Sequence, residues 1–216
     1  MNKKRMITIL VIAGILMWAV RYTMLNDGFK VGVRNPVVQY QIGDTVDFED
    51  DKSGGAVLYK NLHVTVDDCH LYDTNDYLQK IHKDRSDFQL LLGDKIVELT
   101  VTIDNQNPDF VEKSDGAYSP DDAVNFNSFE LTGPDWYVFP HRELMAYANP
   151  VFQDNTDAST SLVFLPDEKY QMKWVFSLSQ GRMSDRRWKQ IANEDMALIL
   201  TFTPIEKRVA IKCTSN

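Results

Sequence analysis

KIVELTVTIDN, Lys95 to Asn105, gathers Ile96, Val97, Leu99, Val101 and Ile103, and from Leu99 onward apolar side chains alternate with Thr100, Thr102 and Asp104. Successive side chains of an extended chain point to opposite faces, and β-branched residues favour that geometry. The stretch therefore predicts a strand in the middle of a sheet. The polar run Asp104 to Asn107 and then Pro108 end it with turn chemistry.

Upstream, Leu62, Val64 and Val66 alternate with His63, Thr65 and Asp67, which predicts a half-buried strand running towards Leu71. Before it, Val37, Val38, Tyr40 and Ile42, then Val46 and Phe48, flank a Gly43 to Asp44 turn and predict a first strand or hairpin. Between these strands and Lys95 the period changes. Tyr77, Leu78 and Ile81 lie at helical spacing behind Thr74 or Asn75 as a cap, followed by the apolar Phe88 to Leu92.

Downstream, Phe126, Phe129 and Leu131 resume the alternation, and Trp136 to Phe139 reads as an aromatic strand before Pro140. Arg142 to Ala148 fits a helical turn. Tyr170, Met172, Trp174 and Phe176 give a second strong strand, Ser184 caps a short helix, and Ala197 to Phe202 and Arg208 to Lys212 close the chain. About eight or nine short strands with brief helices predict a mainly β fold, a two-sheet antiparallel immunoglobulin-like sandwich with short helical insertions. The insertions fall at Thr74 to Asp87, Asp109 to Asn125 and Ser179 to Glu194.

The N-terminus carries a different signal. Met6 to Val20 is a charge-free apolar run behind Lys3, Lys4 and Arg5. Fifteen helical residues rise about 22 Å, short of a roughly 30 Å hydrocarbon core, so a spanning helix continues through Tyr22 to Leu25. A cleaved signal peptide is the competing reading, but Met17, Trp18 and Ala19 fit its small-residue rule poorly. No cysteine follows before Cys69, so a lipobox is missing. The expected order is a cytoplasmic tail at 1–5, a transmembrane signal anchor at 6–25, a tether at 26–36 and an extracellular domain at 37–216.

All four basic residues of the first 25 precede any acidic one, which leaves 19 basic against 31 acidic, a net −12, for the remainder. That balance argues against nucleic acid as a partner. Cys69 and Cys213 are the two cysteines. Outside the cell they are a candidate disulfide contributing roughly 5 kcal/mol on the chain-entropy model, while two unpaired thiols, with Cys69 as a small buried hydrophobe, stay open.

The opening Tyr40, Gly43, Asp44, Thr45, Val46, the strand Ile96 to Asn105, and Leu165 to Glu168 before Tyr170 to Phe176 resemble the telokin-like immunoglobulin-fold ectodomains of membrane-anchored or lipoprotein-type surface proteins of Gram-positive bacteria. The likeness spans Val37 to Lys212, and this chain has Asp167 where that family often has glycine. The resemblance implies an extracellular binding or interaction module, with no catalytic residues to carry over.

Motifs for chemistry are scarce. There is no nucleophile elbow, no His-Glu-x-x-His helix, no phosphate-cradling glycine loop and no dinucleotide fingerprint, and Ser179 near Gly181 lacks the first of these. His63 and His70, seven apart on one predicted strand, should fall on opposite faces and so make no metal pair without a bulge. No catalytic residue and no cofactor is expected.

Two acidic loops, Asp47, Glu49, Asp50, Asp51 and Asp115, Asp121, Asp122, are calcium candidates without EF-hand spacing, set against a plain solvated acidic surface. Trp136, Tyr137 and Trp188 are candidate rings for stacking on sugars, set against a core role. The expected function is non-catalytic binding at the cell surface, to another envelope protein or a host or wall component. A ligand-sensing ectodomain with a calcium or carbohydrate site is the alternative, and a surface hydrolase the third.

Overall fold

A computed structural model describes residues 35–49, 51–53, 56–58, 61–106, 124–125, 128–149, 161–162 and 168–215, together with Trp18 and Arg21. The chain divides into two units, Met1–Asn35 and Pro36–Asn216. Trp18 and Arg21 are helical, and otherwise the expected anchor at Met6 to Leu25 lies outside the described residues. Among the described residues no helix is long and apolar enough to cross a membrane.

The second unit is mainly β. Its strands in chain order are β1 (Val37–Gln41), β2 (Thr45–Asp47), β3 (Asp51–Ser53), β4 (Ala56–Leu58), β5 (Leu62–Asp73), β6 (Lys95–Asn105), β7 (Val124–Asn125), β8 (Glu130–Thr132), β9 (Tyr137–Val138), β10 (Ser161–Leu162), β11 (Glu168–Leu178), β12 (Met196–Thr201), β13 (Glu206–Ile211) and β14 (Thr214–Ser215). Among the described residues three short α-helices join them: α1 (Thr74–Lys80), α2 (Arg142–Ala148) and α3 (Asp185–Trp188).

One sheet runs β1-β13-β12-β8-β9, and the other runs β11-β6-β5-β14 with β2 also on β5. The expected central strand is β6, paired along its whole length with β11 on one side and β5 on the other. Val97, Leu99 and Val101 are fully buried. Apolar residues of both sheets form one core, and Phe129 stacks on Trp174 at 4.5 Å between ring centroids. Each large apolar side chain so buried contributes about 1.5–3 kcal/mol. Ile96 and Val175 lie on the opposite face and are buried as well, because α1 and α2 pack there.

Three expectations change. The opening segment is no hairpin: β1 pairs in parallel with β13 in the first sheet, and β2 pairs antiparallel with β5 in the second. Gly43, at φ +92°, turns the chain from one sheet to the other, and its N–H donates to the Val66 carbonyl at 2.8 Å. The left-handed φ suits glycine. The sheets are also not purely antiparallel, since β14 joins β5 in parallel too. Alternation in sequence gives a face, not a partner.

The third change is a bulge in β5 between Val66 and Asp68. Asp67 and Asp68 are both exposed, and Cys69 and Leu71 then return to the core. The extra residue resets the alternation, so His63 and His70 share the outward face, contrary to the expected opposite faces. At about 3.3 Å per residue they stand roughly 20 Å apart, too far for one metal ion.

The helices follow the expected positions, with one cap moved. Asp73 is the N-cap of α1, and the Thr74 hydroxyl instead donates to the Gly93 carbonyl at 2.9 Å. Ser184 stands at the N-cap of α3 as expected. Pro140 bridges to Phe176, linking the end of β9 to the edge of β11.

Candidate functional site

The loop that leads from α1 to β6 carries three leucines in a row, Leu90 to Leu92, and only the last is buried. Leu91 is 91% exposed and Leu90 46%. Such exposure does not come from slackness. Glu143, in the first turn of α2, accepts the Gln89 and Leu90 N–H groups at 3.1 and 2.9 Å. Gly93 then donates to the Ser177 hydroxyl at 2.7 Å and accepts from Thr74. A Cβ on Gly93 would meet the Leu178 carbonyl oxygen at 2.1 Å, so the loop closes onto β11 where only glycine fits.

Beside this loop, β9 leads into Phe139, itself exposed and in edge contact with Tyr137 at 5.7 Å. Leu90, Leu91, Phe139, His141, Arg142 and Ser179 line a groove of about 760 Å³ between them. Phe88 braces its back through edge contacts to Tyr147 at 5.3 Å and His141 at 6.3 Å. The His141 imidazole caps α2, Nδ1 accepting from the Leu144 N–H at 3.4 Å. Burial holds its pKa below the ordinary histidine value, against the pull of the Glu143 charge, so the ring is neutral near pH 7. The groove is thus preorganised, largely apolar and lined, among the described residues, by one permanent charge, Arg142.

The residues nominated from sequence scatter. Asp47 and Glu49 are exposed, with Asp47 3.5 Å from His63 across the β2–β5 pair, and of Asp51 only the backbone in β3 is described. Asp50, Asp115, Asp121 and Asp122 lie outside the described residues. Among the described residues no group of three or more His, Cys, Asp and Glu could hold a metal ion. Trp136 is buried, its ring packed against Gly133 and its Nε1 donating to Glu194 at 3.4 Å, so it cannot stack on a ligand. Trp188 is half-buried against the core. Tyr137 is a surface ring, 56% exposed, at the groove's edge.

Cys69 and Cys213 are joined in a disulfide that spans 144 residues. Next to it, the Thr214 hydroxyl and His70 Nδ1 are 2.8 Å apart, and His70 Nε2 is 2.9 Å from Asp68. This hydroxyl, imidazole and carboxylate chain crosses the parallel β5–β14 pair and fastens the last strand to its neighbour. On the outer face of β6, Glu98 is buried between Lys80 and Lys173, and burial, reinforced by the Glu98 charge, pushes the Tyr77 phenol far above its ordinary range. These groups pack between α1 and the outer face of β6.

A second, more polar depression of about 520 Å³ lies on the open face of the first sheet, floored by Ala197 and Ala210 and flanked by Gln39, Gln41, Thr132 and Arg208.

The family model for a domain of unknown function, DUF5028, matches residues 37–207. The chain belongs to this family. No curated protein and no solved structure matches it. The DUF5028 match opens at the first residue of β1 and closes within β13, so it spans both sheets and the groove but stops short of Cys213 and β14. The sequence feature that could have pointed to the groove, and was not read so, is the unbroken Leu90-Leu91-Leu92 run. A run of adjacent apolar residues cannot all face one core from an extended loop.

Proposed function

We propose that the DUF5028 domain is a non-catalytic binding module, and that its groove beside Leu91 receives a protein partner. The observation that carries this reading is a leucine 91% exposed in a loop fixed at both ends by hydrogen bonds. Rigid, solvent-facing apolar side chains around a concave surface are costly in a monomer and favourable once covered. Two facing, antiparallel-rich sheets around the stacked Trp174 support an immunoglobulin-like sandwich of the telokin-like kind. Its disulfide departs from the inter-sheet bridge of antibody domains, since it ties β5 to the segment leading into β14 on the same sheet.

The basic cluster Lys3 to Arg5 ahead of the apolar run supports a single-pass anchor at Met6 to Leu25, with the domain outside a Gram-positive cell and another envelope protein as partner. Protease added to intact cells should then digest Pro36 to Asn216, and full protection would overturn that placement. For the binding role, a photoreactive residue at position 91 of the full chain should give discrete protein crosslinks in cells. Crosslinks that persist unchanged in a Phe139→Ser background, or none at all, would sink it. A second reading, recognition of a small polar or sugar ligand, draws on the depression flanked by Gln39, Gln41 and Arg208.

A further inference from the structure

We infer that the partner segment seated in the groove is apolar and acidic, its carboxylate paired with Arg142; this rests on the binding reading above. Charge complementarity carries it. In a chain of net charge −8, no carboxylate among the described residues lines the groove, and the fixed charge among them that does is cationic. Arg142 is exposed and has no ion pair among the described residues. Its neighbour Glu143 is committed to the Gln89 and Leu90 N–H groups, and consecutive helical residues point apart. Asp94, nearest the far wall, accepts from the Gln180 N–H at 3.1 Å, and Asp185 accepts from the Gln180 side chain at 3.1 Å.

A second cation stands over Tyr147, the ring that meets Phe88 behind the groove. Lys83 lies over the Tyr147 ring at 4.4 Å, and no carboxylate is paired with it among the described residues. The local anions Asp84 and Asp87 cap each other's backbone N–H groups instead. His141 adds no charge near pH 7, being neutral. An arginine at the wall of the groove presents a planar fork that a carboxylate meets with two parallel bonds, so an Asp, a Glu or a chain terminus on an apolar segment satisfies it. Leu90, Leu91 and Phe139 supply the contacts for the segment's apolar side chains.

The test uses the detergent-purified full chain and a random peptide library displayed on phage, panned against wild type, Arg142→Glu and the double variant Leu91→Ser with Phe139→Ser. All three positions are exposed, so these variants should melt with the wild type. The expected result is enrichment of peptides that pair Leu or Phe with Asp or Glu, bound about tenfold more weakly by Arg142→Glu and not detectably by the double variant. Selected peptides that lack acidic residues and bind Arg142→Glu as well as wild type, but not the double variant, overturn the acidic partner and leave the groove reading standing. Peptides that bind the double variant undiminished overturn both. Sedimentation with phosphatidylglycerol vesicles is the control, and vesicle binding lost in the double variant with no peptide enriched would overturn the protein partner in favour of lipid.

Discussion

Glu98 sits on the outward face of β6, yet it is 3% exposed, and Lys80 donates to both its oxygens at 2.9 Å. Lys80 is held above its ordinary pKa. Burial lowers it, but the bonds to Glu98 and Tyr72 outweigh that. Removing the cation leaves a buried carboxylate with Lys173 alone at 3.6 Å. Lys80→Met should therefore lower the urea unfolding free energy by about 2–3 kcal/mol, whereas Lys80→Leu combined with Glu98→Leu should cost less, because no charge is then stranded. His141 sets a pH dependence of known sign. Its folded pKa is depressed by burial, so the unfolded chain takes up the proton first. Its contribution is fully present above about pH 6.5 and is lost as pH falls through the folded value. Melting temperature against pH should show that fall flattened in His141→Asn, which keeps a capping acceptor and removes the titration.

At the scale of elements, the loop over Gly93 is the feature most exposed to test. Gly93→Ala places a methyl against the Leu178 backbone and should cost about 1–3 kcal/mol, read as a lower denaturant midpoint with unchanged slope. The long strands β5, β6 and β11 were legible because alternation over many residues has one reading. Ile96 and Glu98, on the face of β6 opposite Val97 and Leu99, are buried because α1 folds back over them, and a period of two cannot report what lies above a face. The switch of sheet at Gly43 and the bulge at Asp67 were not legible either. Both depend on pairing partners far away in sequence, Val209 for Tyr40 and Thr100 for Asp68. The two-residue β14 is too short to carry a pattern of its own.

For the whole molecule, the sequence carried the β class and the strands that build the core, because core burial writes itself into periodicity. The groove was not legible. Its walls come from the Leu90–Leu91 loop, the end of β9 and the start of α2, and in sequence each looked like ordinary core or turn material. Trp136 and Tyr137 show the difficulty most sharply: adjacent aromatics, one buried against Gly133 and one on the surface. The disulfide acts on the molecule as a unit. Closing a loop of 144 residues, it should contribute about 5 kcal/mol through the unfolded state. Cys69→Ala with Cys213→Ala should lower the melting temperature markedly, and hydrogen exchange should quicken at His70 and Leu71, which lose β14 as a fixed neighbour.

The parallel pairing of β1 with β13 bears on mechanics. The two strands run side by side in register from Val37 against Glu206 to Gln41 against Ala210. A pull on the chain at Pro36 would draw β1 backwards along its own axis while the far end of β13 is held the other way. The rungs between them then lie across the line of force and share the load together, where a hairpin would have opened like a zip, one rung at a time. Turning out of one sheet into the other at Gly43 thus gives the N-terminal end of the domain a shear clamp.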